Sequence, residues 1–509
     1  MDLAGLGALG LVAAEWLALG WLSGVAFPTQ TRAASWAGQP QVASRAGQPH
    51  VVSRAGQPHL VSWALRLLVG AALVGVSQLV LALVGLGFAS IPLVLGVAAI
   101  AAGALRLASP GQSCEGAAGE RSAEPTEERQ RAKPARERRP GEAAKEPRRG
   151  EAAEERERWA EAKPAKPPRT PGRERIGWLL LGGVLAAATL RSLLVPEAGW
   201  DAYSHWGLRA QAYALAGTIV DAHSEHEYYP PLVPLLEAWL YLHRGSVSID
   251  LGKTVWALLG GAFGICLAAH LRLCLRLGWL APYLASMIVA GTTALLESFW
   301  TGQADLALTV YLSLAALAAW QWRRAADRAW LVQAAIFAAA AALAKFEGLP
   351  RVGVVVGAVV LEAWLLRQRA ALLPALVLAL AAVGGWLLWT AFEVGHGITP
   401  NAEHIVPLQP LAIGSVLLAL LGVFGGVRTG GSVGVAVLAW VVAGRGLLHA
   451  PIRPLTLIVL GQVAATLLAF LLSATAPELE VGTSATRLFE HWLPLALFVA
   501  AVGVSEVHL

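Results

Sequence analysis

Asp201 and His205 stand four residues apart in GWDAYSHWGLRAQAYALAG, so a helix starting near Trp200 places both on one face, with Trp206 and Arg209 a turn further on. A carboxylate and an imidazole on one face suit a general base with an orienting partner, or half of a metal site. An N-capping Asp followed by a surface His accounts for the same spacing. The next run, DAHSEHEYYPPLVPLLEAW, packs His223, Glu225, His226 and Glu227 closely enough to ligate a metal, although without a fixed zinc spacing. A solvated acidic loop is the plainer reading of it. Tyr229-Pro230-Pro231 ends one element and starts the next. In ESFWTGQADLALTVY, Asp305 sits just inside an apolar helix, where a carboxylate is favoured by the helix dipole. It is either a cap or the second member of a carboxylate pair with Asp201. AALAKFEGLP carries Lys345, one of only two lysines outside the charged segment described below, beside Glu347. That ammonium either snorkels or meets a lipid phosphate. Arg487 and His491, in GTSATRLFEHWLP, form a second cationic locus.

The elements that must position these groups are membrane helices. The chain has 509 residues, is 56% hydrophobic and only 14% charged, and has a mean hydropathy of +0.56, whereas soluble domains carry about 25% charge. Residues 109–175 hold 31 of the 73 charged side chains. The remaining body excludes a soluble enzyme, a nucleic-acid binder and a disordered adaptor. Three cysteines, Cys114, Cys266 and Cys274, give neither a disulfide framework nor a metal spacing.

Apolar stretches at 3–27, 64–88 and 89–107, and ten more from 176–196 to 490–506, predict an all-α polytopic bundle of about thirteen spans with a helical outer first loop. The expected organisation is an N-terminal membrane part over 1–107, containing a nine-residue repeat loop at 35–61. A charged, disordered linker over 108–175 and a catalytic bundle over 176–509 with its outer loop at 197–253 follow. Arginines at 272/276, 323/324/328, 367/369 and 445/453 fall in alternate loops, which makes their side and the linker cytoplasmic in a plasma-membrane protein. To keep that parity, 411–427 is expected at the outer interface or as a re-entrant piece, and 232–243 is too short to cross. Of the 20 acidic residues outside the linker, 15 then map to outer loops or outer helix ends, together with seven histidines. Ionisable groups at helix ends are costly unless paired or facing a wet cavity, so this clustering favours a site over merely polar loops.

WDAYSHWGLRAQAYALAG, YYPPLVPLLEAW, GQADLALTVYLSLAALA, ALAKFEGLP and TSATRLFEHWLP, in that order, resemble the polytopic lipid-sugar glycosyltransferases of the GT-C superfamily. Within it the likeness is to the branch of protein O-mannosyltransferases and aminoarabinose transferases. It covers about residues 176–506. The resemblance implies transfer of a sugar from a polyprenyl-phosphate donor to a glycan, lipid or protein acceptor on the outer face, with no nucleic acid involved. Asp201 is similar to the catalytic carboxylate of the first loop and Asp305 to the second acidic position, while Lys345 with Glu347 and the late Arg487 match cationic motif positions. His205, Tyr229 and His491 are the further substrate-binding candidates, and His205 is expected to orient Asp201. No second acid adjoins Asp201, which leaves a divalent metal there open. The rival expectation is a transporter or flippase of lipid-linked or anionic substrates, which would need broken helices carrying polar groups at mid-bilayer.

Overall fold

The computed structural model describes residues 3–22, 59–83, 171–196, 199–219, 227–275, 277–325, 327–365, 372–398, 413–425, 427–449, 451–472 and 477–508. Apart from a four-residue helix at Ile249–Gly252, most α-helices in them are runs of apolar residues punctuated by Gly, Pro or charge. In chain order they are α1 (Leu3–Leu22), α2 (His59–Leu83), α3 (Pro171–Leu194), α4 (Leu208–Ala216), α5 (Leu232–Arg244), α6 (Thr254–Cys274), α7 (Ala281–Gly291), α8 (Thr293–Thr301) and α9 (Ala304–Ala325). Then follow α10 (Arg328–Ala344), α11 (Gly348–Leu365), α12 (Leu372–Gly395), α13 (Ile413–Gly425), α14 (Val427–Ala443), α15 (Arg453–Leu471), α16 (Pro477–Glu490) and α17 (Leu493–His508). No strand occurs among the described residues. The nine-residue repeat lies outside them up to Pro58, as do the span expected at 89–107 and the charged linker up to Thr170.

Seven described helices are long and apolar enough to cross a membrane, or nine if each of two bent pairs counts as one span. The bent pairs are α7 with α8, turned by 73° at Thr292, and α16 with α17, turned by 45° at His491-Trp492. The stretches expected to begin at 3, 64 and 330 form shorter apolar helices over their described residues. Residues 413–425 form a helix of 13 residues, roughly 20 Å long at 1.5 Å per residue and so below the hydrocarbon thickness. It packs on α14 and α16.

Burial separates the centre of the bundle from its rim. The apolar stretch of α9 is 100% buried and that of α6 83%, whereas α3 buries 22% and α12 28%. A helix apolar all round needs partners on every side, and α9 finds them in α6, α10, α11, α15 and α16. Leu, Val and Trp side chains of α3, α11 and α12 stay exposed, as expected of faces turned to lipid.

Charge fastens both ends of the bundle. At one end, Glu362 of α11 is fully buried and pairs with Arg323 of α9 and, at 3.8 Å, with Arg453 of α15. Nearby, Arg272 of α6 pairs with Glu174 of α3. These arginines are those that the loop alternation grouped on one side.

The N-terminal helices pack into the same unit as the rest. α2 lies against α5, α6 and α10, and α1 against α2 and α5. Gly70 of α2 allows this, because a Cβ there would run into the backbone of Trp16. The joint also holds a polar contact: Glu15, in the middle of α1, accepts from His243 Nε2 at 2.9 Å and from Trp239 Nε1 at 2.9 Å, both on α5. His243 Nδ1 faces the Trp239 carbonyl at 2.8 Å, so both ring nitrogens meet acceptors.

Burial alone lowers the affinity of His243 for its proton, but the Glu15 carboxylate and the Trp239 carbonyl outweigh it, and the pKa is raised above 6.5. A raised folded-state value means that the joint contributes its full stability below pH 6.5 and loses it as pH rises through that higher value. The stability advantage of wild type over His243→Gln, which keeps a donor but does not titrate, should therefore be largest near pH 6 and shrink toward pH 9. Thermal unfolding across that range checks it; an advantage that grows with pH would refute the assignment.

Candidate functional site

At the opposite end from Glu362, two turns set the central pair. Gly302 caps α8 with a φ of 68°, a conformation open to Gly at no cost, and redirects the chain so that α9 starts with Asp305 in its first turn. After α10, Lys345 is extended (φ −157°, ψ 157°) and the chain re-enters helix at Gly348. A Cβ at Gly348 would strike the Ala341 carbonyl oxygen, so KFEG makes a turn that only Gly closes.

Those turns bring Lys345 Nζ within 2.8 Å of Asp305 Oδ1 and 3.4 Å of Glu347 Oε1. His491, in the break between α16 and α17, donates from Nε2 to the same Asp305 oxygen at 2.8 Å. Asp305, Lys345 and His491 are all buried, whereas the Glu347 side chain is 31% exposed. Burial disfavours the Lys345 charge, but Asp305 and then Glu347 reverse this and hold its pKa above the ordinary lysine value.

One turn back along α16, Arg487 pairs with Asp201, and their side chains are 28% and 33% exposed. Asp201 opens a π-helical turn, Ala202–Gly207, before α4. A π turn bonds residues five apart instead of four, and Asp201 and His205 still lie near one face. Asp201 bonds Arg487, and His205 Nδ1 meets the Ser204 hydroxyl at 2.5 Å. His205 also faces the ring of Tyr229, 6.4 Å away, which packs edge-on against Trp206 at 5.2 Å.

Buried Arg209 positions that tyrosine. It donates to the carbonyls of Tyr229 at 2.9 Å and Glu227 at 3.4 Å and to the Tyr213 hydroxyl at 2.8 Å, while Trp389 of α12 donates to the Tyr228 carbonyl at 3.2 Å. The phenol of Tyr229 lies in the fields of Glu347 and Lys345, and burial followed by Glu347 raises its pKa, so it remains a protonated donor. The structure thus gathers Asp201, His205, Tyr229, Asp305, Lys345, Glu347, Arg487 and His491 at one end of the bundle. The metal candidates His223, Glu225 and His226 lie outside the described residues. Among the described residues no group of three His, Cys, Asp or Glu side chains is arranged to hold a metal.

Two groups had been given no role. Arg351, 4% exposed, donates to Gln462 at 3.1 Å, Thr466 at 3.3 Å and the Leu488 carbonyl at 3.4 Å, tying α11 and α15 to the end of α16. Its sequence signal was an arginine inside an apolar helix right after KFEG. Glu490, 1% exposed, adjoins His491 and senses the charges of Asp305, Lys345 and Arg487. No family model matches the chain, and neither does any curated protein or solved structure.

The Asp305–Lys345 pair predicts a specific cycle of variants. Asp305→Asn should cost about 3 kcal/mol or more, because it leaves a buried ammonium with only the partly exposed Glu347 as counter-charge. Adding Lys345→Met should recover much of that loss. Unfolding free energies of the two singles and the double measure the coupling, and simple additivity would refute a direct buried pair.

Proposed function

We propose that the chain is an integral-membrane glycosyltransferase that takes a sugar from a polyprenyl-phosphate donor and passes it to an acceptor at the outer face of the plasma membrane. The observation that carries this reading is the convergence of both acid–base pairs, Asp201 with Arg487 and Asp305 with Lys345 and His491, on one helix end. The five motifs similar to the GT-C enzymes supply those residues. In this reading the bundle has about thirteen spans, the arginine-rich loops face the cytoplasm, and the loop from 197 to 253 is external, at the depth of a lipid headgroup.

The two pairs then divide the work by exposure. Asp201, Arg487 and Glu347 are partly open and meet substrate, whereas Asp305 is sealed and acts as the positioning residue for Lys345 and His491. A donor phosphate binds Arg487 bidentately and draws it from Asp201. The freed carboxylate takes the proton of the acceptor nucleophile as that atom bonds the anomeric carbon. The carbon–oxygen bond to phosphate breaks, and polyprenyl phosphate leaves with the electron pair, held by Arg487 and by the field of Lys345. Tyr229 and His205 contact the sugar.

Two bent helix pairs favour a second reading, a transporter or flippase of lipid-linked anions, since broken helices often flank transport sites. The readings separate in proteoliposomes given labelled polyprenyl-phosphate sugars. Asp201→Asn should lower transfer at least about 100-fold with unchanged thermal stability, and Arg487→Lys should weaken it through lost bidentate contact. Transport of donor across the bilayer without sugar transfer, or full transfer by Asp201→Asn, would overturn the proposal.

A further inference from the structure

The segment that carries Asp201 is amphipathic in the reverse sense. On a helix bathed in water the polar residues face out and the apolar stripe faces the protein. From Trp200 to Ala216 every residue that stands exposed is apolar or aromatic: Trp200 and Leu215 are each 76% exposed, and Tyr203, Leu208 and Ala216 are exposed as well. The charged side chains of the same stretch turn inward. Arg209 is buried against the Tyr213 hydroxyl and the Tyr229 and Glu227 carbonyls, and Asp201 reaches Arg487. Ser204 gives its hydrogen back to the Trp200 carbonyl at 2.7 Å, which satisfies a backbone group without water.

This face continues a surface already turned to lipid. α3, with only 22% of its apolar stretch buried, runs into the segment, and Leu190 and Leu194 near its end are exposed. At that level Arg191, in the last turn of α3, lies over the Trp300 ring at 4.5 Å. Trp, Tyr and snorkelling Arg gather where the hydrocarbon meets the headgroups. Residues 200–216 extend over roughly 25 Å at 1.5 Å per residue, too short to cross. An apolar face along the whole of such a segment fits a helix lying parallel to the bilayer surface.

We infer that residues 200–216 lie in one bilayer interface, with Trp200, Tyr203, Leu208 and Leu215 inserted among the lipid chains and Asp201 and Arg209 turned to the protein. A protein partner fits this patch less well. Its exposed side chains offer one hydroxyl, that of Tyr203, whereas a protein–protein interface makes roughly one hydrogen bond per 100–200 Å² and has a polar rim.

The consequence for the site is lateral access. Trp200 anchors the residue beside it, so the partly open Asp201–Arg487 pair sits at headgroup level, and an anionic headgroup reaches Arg487 sideways without leaving the bilayer. The inference rests on the membrane placement of the 197–253 loop proposed above, but not on sugar transfer. Its test reads depth alone, so its failure and the failure of the transfer assay are separate results.

The test uses the full-length protein with Cys114→Ser and Cys274→Ser, leaving Cys266 fully buried, and adds Trp200→Cys, Tyr203→Cys, Leu208→Cys or Leu215→Cys one at a time. Each is nitroxide-labelled and reconstituted into vesicles of phosphatidylcholine and phosphatidylglycerol. Collision with oxygen against a water-soluble nickel chelate should put all four labels at one shallow depth, roughly 5–10 Å into the headgroup–acyl boundary. Adding Trp200→Gln and Leu215→Gln to the Tyr203→Cys protein should shift its label into water. Labels that are water-exposed from the start overturn the inference, as does a Tyr203 label whose depth is unchanged by both substitutions. Spin–spin broadening that disappears on dilution with unlabelled protein would put a second copy on this face, and shielding from both reagents would put another protein surface there; either outcome overturns it too.

Discussion

One oxygen atom holds three parts of the chain together. Asp305 Oδ1 accepts from Lys345 and from His491, and so joins the start of α9, the turn between α10 and α11, and the break between α16 and α17. These segments are 40 and 186 residues from Asp305 in sequence. In a low-dielectric bundle each of the three groups would be costly alone. Together they fix where the KFEG turn and the α16 end lie, and hence where Glu347, Arg487 and Asp201 lie in turn.

Around that joint the polar network is layered by exposure. The sealed layer is Asp305, Lys345, His491 and Arg351, and its contacts are with each other, with side-chain amides and hydroxyls, with a backbone carbonyl and, from Lys345, with Glu347. The open layer is Asp201, Arg487 and Glu347, which keep part of their surface accessible. Aromatic rings of Trp206, Tyr228 and Tyr229 lie beside them, held in place by Arg209 through the backbone. This order puts rigid charge behind and accessible charge in front, as the proposed binding of a donor phosphate requires. The opposite end has the simpler arrangement of Glu362 between two arginines, which locks helices and leaves nothing open.

Much of the architecture was legible in the residue order. Long apolar stretches named most of the helices within a few residues, because in lipid a backbone must satisfy its own hydrogen bonds and apolar length alone predicts a helix. Where that reading diverged, the cause was local: Thr292 ends α7 and turns the chain by 73°, and no proline or charge marks the bend. The π turn after Asp201 was equally hidden, since nothing in AYSHWG distinguishes it from α-helix. Glu15 stood in plain view as a lone acid inside an apolar helix, yet its partner His243 lies 228 residues away.

The sequence by itself determined that the chain is helical with segments long and apolar enough to cross a membrane, where most of those helices run, and which short motifs concentrate acid, imidazole and cation between them. It did so because hydrophobic length, punctuation and charge are local properties. Only the tertiary structure decided which of those groups pair: Asp201 with Arg487, and Asp305 with Lys345 and His491. Pairing depends on the rotation, bending and burial of helices far apart in the chain, and these follow from how the whole set of apolar surfaces packs.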